Sequence, residues 1–328
     1  MESKAVFWGN SLPVPCVQKL AKEPLKTIPQ RYIRPDQQQQ PIVSDAGFGW
    51  EVPVIDLQSL LCEESMEAEL TKLDFACREW GFFQLVNYAV NSSLLEKAKK
   101  EAFVVSEEQE LDWADLFLIL SQPPHLGKPH LFPKLPLPFR EALELYSLEL
   151  KNLVIVILRK LAKALHMETS EMEENFGEGI QIIRLNYFPP CLQSDKVIGL
   201  SPHSDGGALT ILLQVNEVEG LQVKKDGKWV PVKPLQNAFV VNVGDGLEIV
   251  TNGAYQRVEY RVTVNSEIER LSIGTFNYSK YDLEIGPARS LISQEKPALF
   301  KRITTEEYNR AKLGGKLNGK SHLDNFRL

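Results

Sequence analysis

His203 and Asp205 are separated by one residue, and so are Arg270 and Ser272 further along the chain. Successive side chains of an extended strand point to opposite faces, so each pair projects from a single face. An imidazole and a carboxylate converging from one strand end are metal donors. Two histidines with one carboxylate form the facial arrangement that holds Fe(II) and leaves coordination positions open. The alternative for His203-x-Asp205 is a surface histidine beside a turn aspartate. Arg270 offers a planar fork suited to a carboxylate, and Ser272 adds a hydroxyl. The alternative there is a surface arginine in a stretch that also carries Glu267 and Glu269. Tyr260 lies between the pairs, 55 residues after Asp205 (260 − 205) and 10 before Arg270 (270 − 260).

These residues need a rigid frame, and 328 residues are enough for a large core, as one big domain or two intimate ones. From Ile180 to about Ser279 the pattern is short strands separated by turn residues. The candidates are Ile182 to Phe188, Leu209 to Gln214, Leu221 to Lys225, Trp229 to Lys233, Ala238 to Val243, Arg257 to Val264 and Leu271 to Tyr278. Asp226-Gly227 between two of them predicts a hairpin. Many short strands at this spacing point to a sandwich or double-sheet jelly roll.

The first half differs. Val52 to Leu57 and Gly81 to Asn87 read as strands, and residues 64–80 as a helix with Leu70, Leu73, Cys77 and Trp80 on one stripe. Residues 91–102 also read as helix. A long helix is predicted from about Pro138 to His166, buried along Leu143, Tyr146, Leu150, Leu153 and Ile157. The acidic, aromatic run 106–117 reads as structural, and Pro123 to Pro138 as an irregular connection. Residues 1–51 form an arm rich in Pro and Gln, in which 11–20 could begin a short docking helix. The organisation expected is therefore the arm 1–51, an N-terminal region 52–178, the strand-rich unit 179–280 and a C-terminal helical tail 281–328.

Composition limits the partners. A net charge of −6 and a pI of about 5.6 argue against nucleic acid and anionic membranes. The longest apolar run, Leu153 to Leu158, is too short to span a bilayer, and the sequence begins without an apolar leader, so a cytoplasmic location is expected. Four scattered cysteines, without a C-x-x-C, read as reduced thiols, Cys191 packing as a small apolar group.

Ordered motifs along nearly the whole chain carry a resemblance. They are Ile55-Asp56-Leu57, Glu79 to Gln84, Leu111 to Asp115, Asn186 to Cys191, Gly199 to Gln214, Val243-Gly244-Asp245, Arg270-Leu271-Ser272 and Asn318 to Ser321. The chain resembles the plant 2-oxoglutarate- and Fe(II)-dependent dioxygenases, in the branch of senescence-related proteins and alkaloid O-demethylases. The resemblance implies a mainly β fold with flanking helices: a distorted double-stranded β-helix, or jelly-roll, core plus an N-terminal α/β helical region. It implies iron at His203 and Asp205, and 2-oxoglutarate at Arg270, Ser272 and Asn186. Phe276 and Tyr278 would line the substrate pocket.

Four positions depart from the family pattern. Tyr260 stands where the family carries its second iron histidine. Of the other histidines (His125, His130, His166 and His322), none lies in the strand region at a suitable spacing. Tyrosine can ligate iron as phenolate, as in catalase, or can simply point near the emptied position, and both readings stay open. Phe188 replaces a tyrosine that helps bind the cosubstrate. Asn87-Tyr88-Ala89-Val90 replaces the usual Asn-His-Gly-Val. About thirty residues of the family pattern are missing near residue 100.

The activity implied is oxidation of a small hydrophobic specialised metabolite by hydroxylation, demethylation, desaturation or ring rearrangement. It would consume 2-oxoglutarate and O2 with Fe(II), ascorbate supporting, in a monomeric protein that binds neither nucleic acid nor membrane. The alternatives are a binding protein that keeps the fold without turnover, and non-oxidative chemistry in the same pocket.

Overall fold

The computed structural model of this chain describes residues 16–22, 27–35, 50–88, 111–124, 137–313 and 321–328. The helix expected over 91–102, the glutamine run and Asn318 to Lys320 lie outside them. In chain order come α1 (Val17–Lys22), β1 (Val54–Asp56), α2 (Leu57–Leu61), α3 (Met66–Phe75), β2 (Phe82–Val86), β3 (Asp115–Gln122), α4 (Leu137–Ala164) and α5 (Thr169–Phe176). The strand-rich half follows: β4 (Ile180–Phe188), β5 (Leu200–His203), β6 (Leu209–Gln214), β7 (Leu221–Lys225), β8 (Lys228–Pro231), β9 (Phe239–Val243), α6 (Asp245–Val250), β10 (Tyr260–Val262) and β11 (Arg270–Tyr278). The C-terminal part adds β12 (Glu284–Ile285), β13 (Ile303–Thr304), α7 (Thr305–Leu313) and α8 (Ser321–Asp324).

Two sheets face each other. The larger runs β1-β2-β9-β6-β11-β4-β3 and the smaller β5-β10-β7-β8, so the jelly-roll expectation holds. Asp226 and Gly227 close β7 onto β8 with φ of 48° and 77°, the left-handed pair that a two-residue hairpin demands. One strand was unforeseen. β3 pairs antiparallel with β4 from Asp115↔Tyr187 onward and extends the large sheet past the acidic run. Its sequence, Leu116-Phe117-Leu118-Ile119-Leu120, is an apolar run without alternation, a pattern that periodicity alone cannot assign.

The two faces of the large sheet divide the molecule. The outer face packs on α4, whose predicted stripe of Leu143, Tyr146, Leu150, Leu153 and Ile157 is buried. Truncating one of these leucines to alanine would cost about 2–5 kcal/mol. Tyr88 belongs to this side and stacks on Phe239 at 3.8 Å, so that departure lies away from the inner face. Between the sheets is a second cluster that includes Phe82, Phe188, Leu200, Leu212, Val223, Val240, Tyr260 and Val262.

Peripheral segments are stitched to this frame. The carboxylate of Asp115 accepts the backbone N–H groups of Val17 and Gln18 (3.1 and 2.9 Å), holding the start of α1 against β3. Trp113 donates its indole N–H to the Pro189 carbonyl (3.1 Å). Cys191 is buried among apolar residues, and none of the four cysteines is disulfide-bonded. The C-terminal segment wraps back on α6. Tyr308 donates its hydroxyl to Asp245, Arg327 bonds Glu248 at 3.0 Å, and Arg257 lies 3.4 Å from Asp245 and 3.7 Å from Asp324. A Cβ at Gly206 would come within 2.7 Å of the Tyr308 ring, so the turn after Asp205 and this segment require a residue without a side chain there.

Candidate active site

Alternation along the paired strands fixes which side chains meet between the sheets. On β11 the register places Arg270, Ser272, Gly274, Phe276 and Tyr278 on one face, opposite Phe188, Asn186, Arg184, Ile182 and Ile180 of β4. The same rows continue through Gln214, Leu212 and Thr210 of β6 to Val240 and Asn242 of β9 and to Phe82 and Gln84 of β2. The inner face is therefore apolar, with a small set of polar groups.

His203 ends β5, and Asp205 follows in the turn, with Nε2 and Oδ1 3.7 Å apart. The Ser201 carbonyl lies 2.8 Å from His203 Nδ1. A carbonyl can only accept, so Nδ1 carries the proton and Nε2 the lone pair, the tautomer a metal requires. Ser201 is itself held by Asp112, which accepts its hydroxyl and its N–H (2.5 and 3.1 Å). Thus Asp112 of the acidic run has a structural part, positioning the strand that bears the histidine.

Tyr260 is directly opposite His203 in the β5–β10 pair, and their rings are 4.4 Å apart. Its hydroxyl donates to Asp205 Oδ1 at 2.9 Å, while Asn242 Nδ2 donates to Asp205 Oδ2 at 3.2 Å. Burial raises the Tyr260 pKa well above the ordinary phenol range, the Asp205 charge pushes it the same way, and Arg184 opposes both. The phenol therefore keeps its proton at neutral pH. Among the described residues, no three His, Cys, Asp or Glu side chains converge as a metal site. His125 and His130 lie outside those residues. Iron therefore fits this donor set in part: His203 and Asp205 are suitably paired, but the third position holds a phenol already bonded to Asp205.

The anion end is more fully furnished. Arg270 is buried, donates from Nη1 to Ser272 Oγ (3.2 Å) and from Nη2 to Gln214 Oε1 (3.1 Å), and has no partner at Nε. Burial lowers its pKa to about 10. Asn186 Nδ2 also donates to Ser272 Oγ, at 3.2 Å. With its lone pairs engaged twice, the serine has its O–H left to donate. Phe188 lies under the guanidinium, 5.4 Å from ring centroid to Cζ, where the family's tyrosine would bring a hydroxyl. A buried cation with neutral partners, an unused N–H and a neighbouring O–H donor is complementary to a carboxylate.

Phe276 shares the inner face with Arg184, whose guanidinium stacks 4.7 Å over its ring and whose Nε has no hydrogen-bond partner. Tyr278, at the end of the same row, is half-buried, and burial followed by the Asp205 charge raises its pKa. Leu118 of β3, 53% exposed, faces the same way at the sheet's edge. Three inner-face groups, Arg184, Gln214 and Asn242, were not singled out by residue type and spacing. Each had a signal, since Arg184 is two residues before Asn186, and Gln214 and Asn242 are amides in apolar strands.

The chain is similar to known proteins along its whole length. Residues 179–278 match the 2OG-Fe(II) oxygenase superfamily. Residues 52–110 match the N-terminal region described as non-haem dioxygenase in morphine synthesis. Protein SRG1 of Arabidopsis thaliana is 49% identical, with all of both chains covered. The chain belongs to the 2OG-Fe(II) oxygenase superfamily. It is an enzyme of the 2-oxoglutarate-dependent dioxygenase class, and Fe(II) and 2-oxoglutarate are the cofactor and cosubstrate of that family. Oxoglutarate-dependent flavonoid 7-O-demethylase 1 of Ocimum basilicum is 50% identical over all of this chain and 94% of its own length. A crystal structure of JOX2 in complex with 2OG, Fe and JA superposes with a TM-score of 0.85 at 34% identity, covering 97% of this chain and 98% of that one. The alignment with SRG1 runs over 358 residues against 328 here, so at least 30 aligned positions (358 − 328) face gaps in this chain. Among the described residues, no helix is long and apolar enough to cross a membrane.

Proposed function

We propose that this chain oxidises a small hydrophobic plant metabolite of the flavonoid, alkaloid or terpenoid kind, with Arg270 and Ser272 holding the distal carboxylate of 2-oxoglutarate. The observation that carries the reading is the buried Arg270 guanidinium, which has only neutral partners and lies between the same two sheets as His203 and Asp205. In this family Fe(II) with bound cosubstrate supplies the oxidising chemistry and 2-oxoglutarate leaves as succinate. The chain's own residues do the rest. Arg270 and Ser272 bind and orient the anion, and Asn186 keeps Ser272 in place. Ser201 sets the His203 tautomer, and Asn242 with Tyr260 fixes the Asp205 carboxylate. Leu200, Leu212, Val223 and Val240 exclude water from the space between the sheets. Phe276, Tyr278 and the exposed Leu118 form the apolar side against which a ring-containing substrate would lie, with Arg184 opposite a polar substituent.

The relative named as a flavonoid 7-O-demethylase makes O-methylated aromatic compounds the first substrates to try. The test is succinate formation from 2-oxoglutarate in the presence of Fe(II), O2, ascorbate and a panel of such compounds. Succinate that rises with one compound supports the reading. Ligand-induced stabilisation with no succinate from any compound favours the second reading, a binding protein without turnover. The observation favouring that alternative is the Tyr260–Asp205 hydrogen bond, together with Phe188 in place of a hydroxyl donor.

A further inference from the structure

In the reading above, both metal and 2-oxoglutarate bind between the sheets. The two halves of that site are unequal. The anion half is finished without a metal: Arg270, Ser272, Asn186 and Gln214 hold one another, and an N–H of the buried guanidinium is unused. The metal half is not. One imidazole and one carboxylate contribute, and both oxygens of that carboxylate already accept hydrogen bonds, from Tyr260 at 2.9 Å and from Asn242 at 3.2 Å. Tyr260 sits at the cross-strand position facing His203, so its hydroxyl competes with any cation for Asp205.

We propose that 2-oxoglutarate completes the metal site of this chain, binding at Arg270 first and recruiting the divalent cation to His203 and Asp205 afterwards. This rests on the cosubstrate role assigned to Arg270 above. A 2-oxo acid anchored by its far carboxylate presents two further oxygen donors, one from the keto group and one from the near carboxylate. Anchoring gives those donors a high effective concentration at the imidazole and carboxylate. A cation that would otherwise meet two protein groups, one of them engaged by a phenol, then meets four donors. Such coupling is reciprocal: whatever factor 2-oxoglutarate adds to cation affinity, the cation adds to 2-oxoglutarate affinity. Tyr260 is on this view a competitor of the cation for Asp205 and not a ligand.

The test is anaerobic titration of Mn(II) into the full chain, followed by the spin-resonance signal of the free aquo ion. It is run alone, with 2-oxoglutarate, and with glutarate, which has both carboxylates but no keto oxygen. For the unmodified chain we expect 2-oxoglutarate to tighten Mn(II) binding about 10- to 100-fold, and glutarate to do so much less. Tyr260→His should bind Mn(II) alone at least about tenfold more tightly than the unmodified chain, and gain less from 2-oxoglutarate. Tyr260→Phe keeps the ring, removes the hydroxyl from Asp205 and should bind Mn(II) alone better than the unmodified chain. The proposal is overturned if the unmodified chain without 2-oxoglutarate binds Mn(II) as tightly as Tyr260→His. It is also overturned if glutarate matches 2-oxoglutarate, or if Tyr260→Phe gains nothing. A phenolate-to-Fe(III) absorption band in the unmodified chain that vanishes in Tyr260→Phe would make the tyrosine a ligand and overturn it equally. Metal-free calorimetry with 2-oxoglutarate separates the two levels. If the anion binds but leaves Mn(II) affinity unchanged, only this inference fails. If it does not bind with or without metal, the function proposed above fails as well.

Discussion

Replacing Arg270 with methionine should separate the cost of burying a cation from its use. The side chain is buried, and its pKa falls from 12.5 to about 10 because burial disfavours the charged form. A depression of that size corresponds to roughly 3 kcal/mol of destabilisation. For a cation with a lowered folded-state pKa, this penalty is fully present below pH 10 and disappears only as pH rises through the unfolded value. At neutral pH, removing the charge therefore relieves it. Against this stand two lost hydrogen bonds, to Ser272 and Gln214, together about 2 kcal/mol. The ligand-free Arg270→Met protein should thus match the unmodified one in stability to within about 1–2 kcal/mol. Binding is another matter. Two charge-assisted hydrogen bonds to a carboxylate contribute about 1.5–3 kcal/mol each, so 2-oxoglutarate should bind the variant about 10²- to 10⁴-fold more weakly. At a concentration 100 times the unmodified chain's Kd, that chain gains about 2.7 kcal/mol of stability, and the variant less than about 0.5 kcal/mol. Urea unfolding with and without 2-oxoglutarate measures all four states. A variant that loses several kcal/mol without ligand yet keeps its ligand-induced gain would refute the reasoning, because Arg270 would then be a structural cation.

Phe188→Tyr restores a hydroxyl beside Arg270 and should tighten 2-oxoglutarate by roughly 2- to 12-fold, the equivalent of one hydrogen bond; calorimetry showing no change would place the ring too far from the anion. Tyr308→Phe removes the donor to Asp245 at a buried junction and should lower the stability measured by urea unfolding by about 1–3 kcal/mol with an unchanged m-value. The buried phenols of Tyr146, Tyr255, Tyr260 and Tyr308 all have raised pKa values, burial being the largest cause in each. Their unfolded forms lose protons near pH 10 while the folded forms retain them, so this contribution is complete below about pH 10 and declines as pH rises above it. Urea midpoints that stay level between about pH 9 and about pH 11 would contradict it.

Strands with an alternating inner and outer face were legible in the sequence, and so was the hairpin at Asp226-Gly227, because period and turn chemistry are local. β3 was not, since Leu116 to Leu120 is apolar on both faces and pairs with β4, more than sixty residues away. The site shows the same division. His203, Asp205, Arg270 and Ser272 announced themselves by type and spacing. Arg184, Gln214 and Asn242 did not, because their meaning comes from register: one step along either strand would turn each of them outward. What Tyr260 does could not be read from the chain at all. Its partner, Asp205, is 55 residues away in sequence, and only the β5–β10 pairing puts the hydroxyl on that carboxylate.

The segment that ends the chain is wired to the turn bearing Asp205. Tyr308 lies against Gly206 and bonds Asp245, the Asp245 N–H is given to the Asp205 carbonyl at 2.8 Å, and the Leu328 N–H bonds the Leu299 carbonyl. For protein engineering this makes the last residues part of the support of that turn. Arg327 bonds Glu248 of α6, and α6 begins at Asp245, whose N–H holds the Asp205 carbonyl. Substitutions at Phe326 to Leu328 are therefore expected to register at the turn bearing Asp205 as well as in overall stability.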